Sequence, residues 1–134
     1  MSEFNMPAHG QFCWSELSTT DAEAARKFYS ELFGWQFKDG DIAGATYSEI
    51  IVGGKAVGGL FQPGPECGEA QAMPPHWMSY VAVDDVDASV ARVEELGGKV
   101  CVPPTDIPTV GRFSVVNDPS GAAISLITLT GMNS

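Results

Sequence analysis

Among the polar residues of this chain, Glu16, His76, Tyr80 and Ser125 are those whose types and positions suit chemistry on a small molecule. A carboxylate and an imidazole facing one ligand would act as an acid–base pair near neutral pH. Glu16, His76 and Glu49 would also make an N/O donor set for a divalent ion if their strands brought them together. Each has a plainer role as well. Glu16 sits near a strand end, where a solvated rim charge is ordinary, and His76 follows Pro74-Pro75, where it can cap the loop. Arg112 has the type to hold a carboxylate but stands where a strand begins. Cys13, Cys67 and Cys101 are widely spaced, with no CxxC or Cys/His cluster. They form neither a zinc motif nor a disulfide framework, and reduced thiols in a cytosol are expected.

These residues need elements to aim them. GQFCWSEL alternates, so Phe12, Trp14 and Glu16 share one face of a strand and Cys13, Ser15 and Leu17 the other. HWMSYVAV places His76, Met78, Tyr80 and Ala82 on one face, and AAISLITL groups Ala123, Ser125 and Ile127. Between the first two strands runs an internal repeat. Residues 14–37 slide without a gap by 64 positions onto residues 78–101. The identities are few, but they fall at the helix start, the helix face and the helix stop: Asp21 on Asp85, Ala24 on Ala88, Leu32 on Leu96, Gly34 on Gly98.

In the first copy, Thr20 is the expected N-cap, with Glu23 completing a capping box, and Gly34 ends the helix. Ala24, Ala25, Phe28 and Leu32 form the expected apolar stripe. WQFK reads as a short strand, KDGDIAG as a turn, and residues 45–52 and 55–62 as two further strands. Residues 63–75 hold four prolines and two glycines, which predicts an irregular connector able to act as a flap. In the second copy, Asp84 is the expected cap with Asp87 three residues on, and Val86, Val90, Val93 and Leu96 make the stripe. KVCV is a strand, PPTDIPTVG a loop, and RFSVV and AAISLITL strands around the turn NDPSG. Both copies read β-α-β-β-β, with modules at about 10–62 and 76–130.

A chain of 134 residues is one domain's worth, and 44% hydrophobic with 18% charged residues describes a folded protein. Its net charge of −10 disfavours nucleic acid as a partner. The first residues lack the pattern of a signal peptide, and no apolar run approaches the ~20 residues of a membrane span. The expected location is cytoplasmic.

The strand leading into Thr20-Asp21 with FYSELFGW after it, the strand MSYVAVDDVDA, and GRFSVVNDPSGAAISL, in this order within a duplicated β-α-β-β-β chain, resemble the vicinal oxygen chelate superfamily of glyoxalases, bleomycin resistance proteins and extradiol dioxygenases. The resemblance implies an α+β fold of two tandem modules forming a cup-shaped mixed sheet, usually in a homodimer, with the ligand inside the cup. Metal-binding members bring one ligand from the first and last strand of each module. The matching positions here are Trp14, Phe61, Met78 and Ser125, and none is an imidazole or carboxylate. The expectation is therefore no metal and no other cofactor. The cup would be lined by Phe12, Trp14, Glu16, Phe61, His76, Met78, Tyr80 and Ser125, suited to a planar, possibly cationic small molecule. Two alternatives stay open: an enzyme of the lyase, isomerase or dioxygenase type with a rearranged site, and a structural or regulatory module whose cup is filled by its own side chains.

Overall fold

The computed structural model describes residues 7–42, 45–62, 74–107 and 110–130. Its elements follow the duplicated plan: β1 (Phe12–Ser18), α1 (Ala22–Phe33), β2 (Gln36–Ile42), β3 (Ala45–Val52), β4 (Lys55–Gln62), β5 (His76–Ala82), α2 (Val86–Ala91), β6 (Lys99–Ile107), β7 (Gly111–Asn117) and β8 (Ala123–Leu129). Apart from Pro74 and Pro75, the connector expected at 63–75 lies outside the described residues, as does Cys67. The chain divides into two compact units, Trp14–Met78 and Ser79–Ser134 with Met1–Cys13. The divisions fall inside β1 and β5 rather than in the connector.

In the Trp14–Met78 unit the strand order is β2-β3-β4-β1. β2, β3 and β4 are antiparallel neighbours, and β1 closes the sheet by pairing in parallel with β4, Leu17 opposite Leu60. Leu17, Leu60 and Ala22 of α1 form a buried cluster, with Ala25, Tyr29 and Phe37 packed against it. The packed stripe of α1 is thus Ala22–Ala25–Tyr29. Of the expected stripe, Ala25 packs as expected, whereas Ala24, Phe28 and Leu32 face solvent, the last two at 58% and 57% exposure. At Ala22 and Ala25 small side chains let the helix approach the sheet closely, and Tyr29 packs beside them. Arg26 reaches back from α1 to Ser48 of β3, whose hydroxyl donates to Asp39 of β2. Gln62 Oε1 accepts from the Ala22 N–H and fixes where the helix starts.

The second unit repeats this with the order β5-β8-β7-β6, and β5 pairs in parallel with β8. Here Thr128 takes the part of Gln62: its hydroxyl accepts from the Val86 N–H and donates to the Val83 carbonyl. Val83, Val86, Val116 and Ile127 are buried.

Four local expectations are corrected. The cap of α1 is Asp21, not Thr20, its carboxylate accepting from the Ala24 N–H at 3.0 Å. The cap of α2 is likewise Asp85, not Asp84. At α1 the Asp21 carboxylate also complements the helix dipole, which favours it over the neighbouring Thr20 hydroxyl. KDGDI belongs to β2 rather than to a turn, because it continues a seven-pair ladder with β3. Residues 103–107 belong to β6 rather than to a loop. β6 is an edge strand with two register shifts, which is where prolines fit a sheet. Gly34 stops α1 as expected, with φ 76°, a conformation glycine adopts at little cost.

The cap reassignment has a direct test. Asp21→Ala should lower unfolding free energy by about 1 kcal/mol in urea denaturation, whereas Thr20→Ala should stay within about 0.5 kcal/mol. Equal losses would restore Thr20 as the cap.

Candidate functional site

The sheet of the Trp14–Met78 unit has two faces of different character. The face toward α1 carries Leu17, Ile50 and Leu60. The opposite face carries Trp14 and Glu16 of β1, Tyr47 and Glu49 of β3, and Gly59 and Phe61 of β4, by strand parity and by the pairs Glu16↔Gly59, Tyr47↔Phe61 and Glu49↔Gly59. All five side chains are half-buried.

Tyr47 organises this face. Its phenol oxygen accepts from the Trp14 indole Nε1–H at 3.2 Å. The Glu16 carboxylate beside it favours the protonated phenol and so opposes its ionisation. Its ring lies 6.4 Å from that of Phe61, tilted by 58°. Burial is the largest cause holding the phenol above its ordinary pKa; the negative charge of Glu16, and more weakly that of Glu49, adds to it. Tyr47 is therefore a neutral hydroxyl in an electronegative, aromatic setting. Lys38 of the edge strand stands opposite Glu49 in the register and borders the face.

The structure brings Trp14, Glu16 and Phe61 together. Met78 is half-buried in the same unit. His76 is turned to its own loop: a carbonyl only accepts, so its Nδ1–H donates to Pro74 O at 2.8 Å. Phe12, Tyr80 and Ser125 belong to the other unit. Phe12 is 68% exposed, and Tyr80 stands opposite Ser125 in the β5–β8 register. Ser125 is fully buried, and its Oγ has no hydrogen-bond partner among the described residues. Arg112 is already committed, to Asp87 at 2.8 and 3.2 Å and to Asp106 at 2.9 Å.

Two residues of the face, Tyr47 and Gly59, were not anticipated. The signal for Tyr47 was its parity with Glu49. Gly59 was hidden by the repeat. In the parallel pairs Glu16 meets Gly59 and Tyr80 meets Ser125, so the counterpart of Ser125 is Gly59 and not Phe61. The offset between the halves grows from 64 in β1 and α1 to 66 in the last strand. The last-strand position of the first half therefore has no side chain at all. Trp14, Gly59, Met78 and Ser125 supply no nitrogen or carboxylate donor, and this set does not fit a divalent ion. Among the described residues no three His, Cys, Asp or Glu side chains gather as a metal set, the trio of Glu16, His76 and Glu49 included.

On the α1 side of the same sheet lies an open depression of about 400 Å³, lined by Ser15, Trp35, Ile50, Val57, Gly58 and Trp77. It offers apolar area with a single hydroxyl and no charge, so it gives a ligand little orientation.

The family model described as Glyoxalase/Bleomycin resistance protein/Dioxygenase superfamily matches residues 11–126. The putative glyoxylase CFP32 of Mycobacterium tuberculosis is 45% identical over 115 residues, 84% of this chain and 43% of that protein. Anthracycline biosynthesis protein DnrV of Streptomyces peucetius is 34% identical over 129 residues, 89% of this chain and 47% of that one. The chain spans less than half the length of these curated relatives. Methylmalonyl-CoA epimerase from Mycobacterium tuberculosis superposes with a TM-score of 0.68 at 18% identity, covering 90% of this chain and 87% of that one, a likeness of fold.

The environment of Tyr47 predicts a pH effect. A phenol whose folded pKa is raised contributes stability that is complete below its unfolded value, about pH 10, and is lost as pH climbs through the folded value. The stability advantage of the native protein over Tyr47→Phe should therefore hold up to about pH 9 and shrink as pH rises past about 10. An unchanged difference in urea midpoints would show that the phenol is not held neutral.

Proposed function

The chain belongs to the glyoxalase/bleomycin resistance protein/dioxygenase superfamily, and on that premise we propose that it binds a planar, positively charged small molecule against the Trp14–Tyr47–Phe61 face, without the superfamily's usual divalent ion. The observation that carries this reading is the Tyr47 hydroxyl, which accepts from the Trp14 N–H and lies over the bare backbone of Gly59, beside the negative charge of Glu16. It holds an aromatic floor and a carboxylate in one fixed arrangement, which is what a flat cation requires. The likeness to an anthracycline biosynthesis protein supports a flat aromatic ligand. The free thiols of Cys13 and Cys101 accord with a reducing cytosol, and a homodimer, as in the family, is part of the same reading.

A second reading, an enzyme that moves a proton, draws support from the relatives named as glyoxylases. It also draws on Glu16 and Glu49, which flank one neutral phenol and could divide acid and base roles.

The two readings separate by turnover, and the first is tested by binding. The permanent cation 10-methylacridinium should bind, and anthracene-9-carboxylate, the anion of similar outline, should bind at least about tenfold more weakly. Glu16→Gln should weaken the cation about tenfold, the worth of one charge interaction near a protein surface. Equal affinity for cation and anion would overturn the proposal. Elemental analysis of protein purified without chelator should find no stoichiometric divalent metal; a full equivalent would sink the metal-free part.

A further inference from the structure

The α1 side of the Trp14–Met78 unit carries a second gathering of aromatic rings, away from the candidate site. Tyr29 lies at its centre. Its ring stands edge-on to Phe28 at 5.0 Å and to Trp77 at 5.6 Å, and stacks with Phe33 at 6.0 Å and Trp35 at 5.2 Å. Trp35 also meets Phe33 at 5.1 Å and Trp77 at 6.2 Å. The rings thus tie the outer face of α1 to the residue before β2 and to the start of β5. Only the inner edge of this cluster is core. Phe28, Phe33 and Trp77 remain at least 44% exposed, as do Leu32, one turn along α1 from Phe28, and Val57. Together these five side chains leave roughly 500 Å² of apolar surface uncovered, near the top of what monomers tolerate in one stretch.

We propose that this surface is where two copies of the chain meet about a twofold axis, the α1 ridge of each seated in the depression of the other. The inference gives the homodimer of the proposed function a definite interface and does not depend on the ligand.

The shape of the surface argues for a second copy rather than a foreign partner. Phe28, Leu32 and Phe33 form an exposed ridge on α1. Next to it lies the open depression of about 400 Å³, and Trp35 and Trp77 belong both to its lining and to the ring cluster. An apolar ridge beside an apolar hollow matches itself after half a turn, so one contact fills both hollows at once. A hollow lined by apolar side chains and one hydroxyl suits such a ridge better than a ligand that must be oriented. The exposed charges of α1 are Glu23, Lys27 and Glu31, of both signs, so the border calls for neither an acidic nor a basic partner. The area agrees as well. A stable interface takes about 800 Å² from each partner. The aromatic patch supplies the core of that area, and the polar residues of α1 supply the rim. Trp and Tyr at the centre of a contact are the side chains that carry most of its energy. The Trp14–Tyr47–Phe61 face is on the other side of the sheet, and this pairing leaves it uncovered in both copies.

Sedimentation velocity on the full chain tests this. Native protein at micromolar concentration should sediment with twice the mass of one chain. Trp77→Ala should raise the dimer dissociation constant at least about thirtyfold, the effect of removing a central anchor. Phe33→Lys should leave a folded monomer, judged by unchanged far-UV circular dichroism. Lysine lowers the net negative charge, so the loss would not come from added repulsion between copies. Should Phe33→Lys fail to fold, Leu32→Lys, on the exposed face of α1, decides. Each copy carries a net charge of −10, so raising salt from about 50 to about 500 mM should tighten the dimer by screening that repulsion. A dimer that loosens with salt would rest on ion pairs and overturn the apolar interface. A dimer that withstands both Trp77→Ala and the lysine variant overturns this interface while leaving the homodimer in place, whereas a monomer at every concentration overturns both. Binding of 10-methylacridinium, measured on the same samples, reports on the ligand reading separately.

Discussion

The parallel pairing of β1 with β4 is the constraint on which the first unit depends. It joins the strand that opens the unit to the strand that closes it, and it has two consequences on two faces. Toward α1 it sets Leu17 beside Leu60, the pair against which Ala22, Ala25 and Tyr29 pack. On the far side it sets Glu16 beside Gly59, leaving a gap that Tyr47 enters from β3. Core and site are thus two readings of one register. A slip of a single residue would exchange the faces and lose both.

Much of this was legible in the chain. The repeat gave the duplicated β-α-β-β-β plan, and strand alternation put Trp14 and Glu16 on a common face. Other features were not legible, for definite reasons. α1 carries two candidate stripes that share Ala25, and the bulky Phe28 and Leu32 favoured the wrong one over Ala22 and Tyr29. Asp21 and Thr20 are both good caps, and only the geometry of the Ala24 N–H separates them. Prolines in β6 read as loop because nothing local says that the strand is an edge. Gly59 was out of reach because a gapless comparison of the first strand and helix cannot see residues added downstream. β6 is two residues longer than β2 and has two register shifts in its pairing with β7. Tyr47 follows from Gly59, since a side chain can enter only where another is missing.

Membership of a superfamily with several chemistries settles the scaffold and leaves the reaction to the side chains. At the positions where metal-binding members place their ligands, this chain has an indole, a glycine, a thioether and a buried hydroxyl. Charge is still present on the Trp14 face, but it stands one register step away, in Glu16, beside a phenol rather than an imidazole. The unit keeps the strands of the fold and differs in which atoms they offer.

The growth of the offset from 64 to 66 has a consequence for how such a protein can diverge. A strand presents alternate residues to alternate faces, so a net change of two residues between opening and closing strand is invisible to burial, while a change of one inverts every position downstream. Length is therefore inherited in even steps across each half, and odd steps survive only where a bulge restores parity. Copies of an ancestral half can drift apart in size along this ladder without ever passing through an inside-out intermediate. Each step brings a different residue opposite the same partner: here a glycine in one copy and a serine in the other. Parity thus acts as a ratchet that lets an active face be re-dealt while the hydrophobic one stays in place.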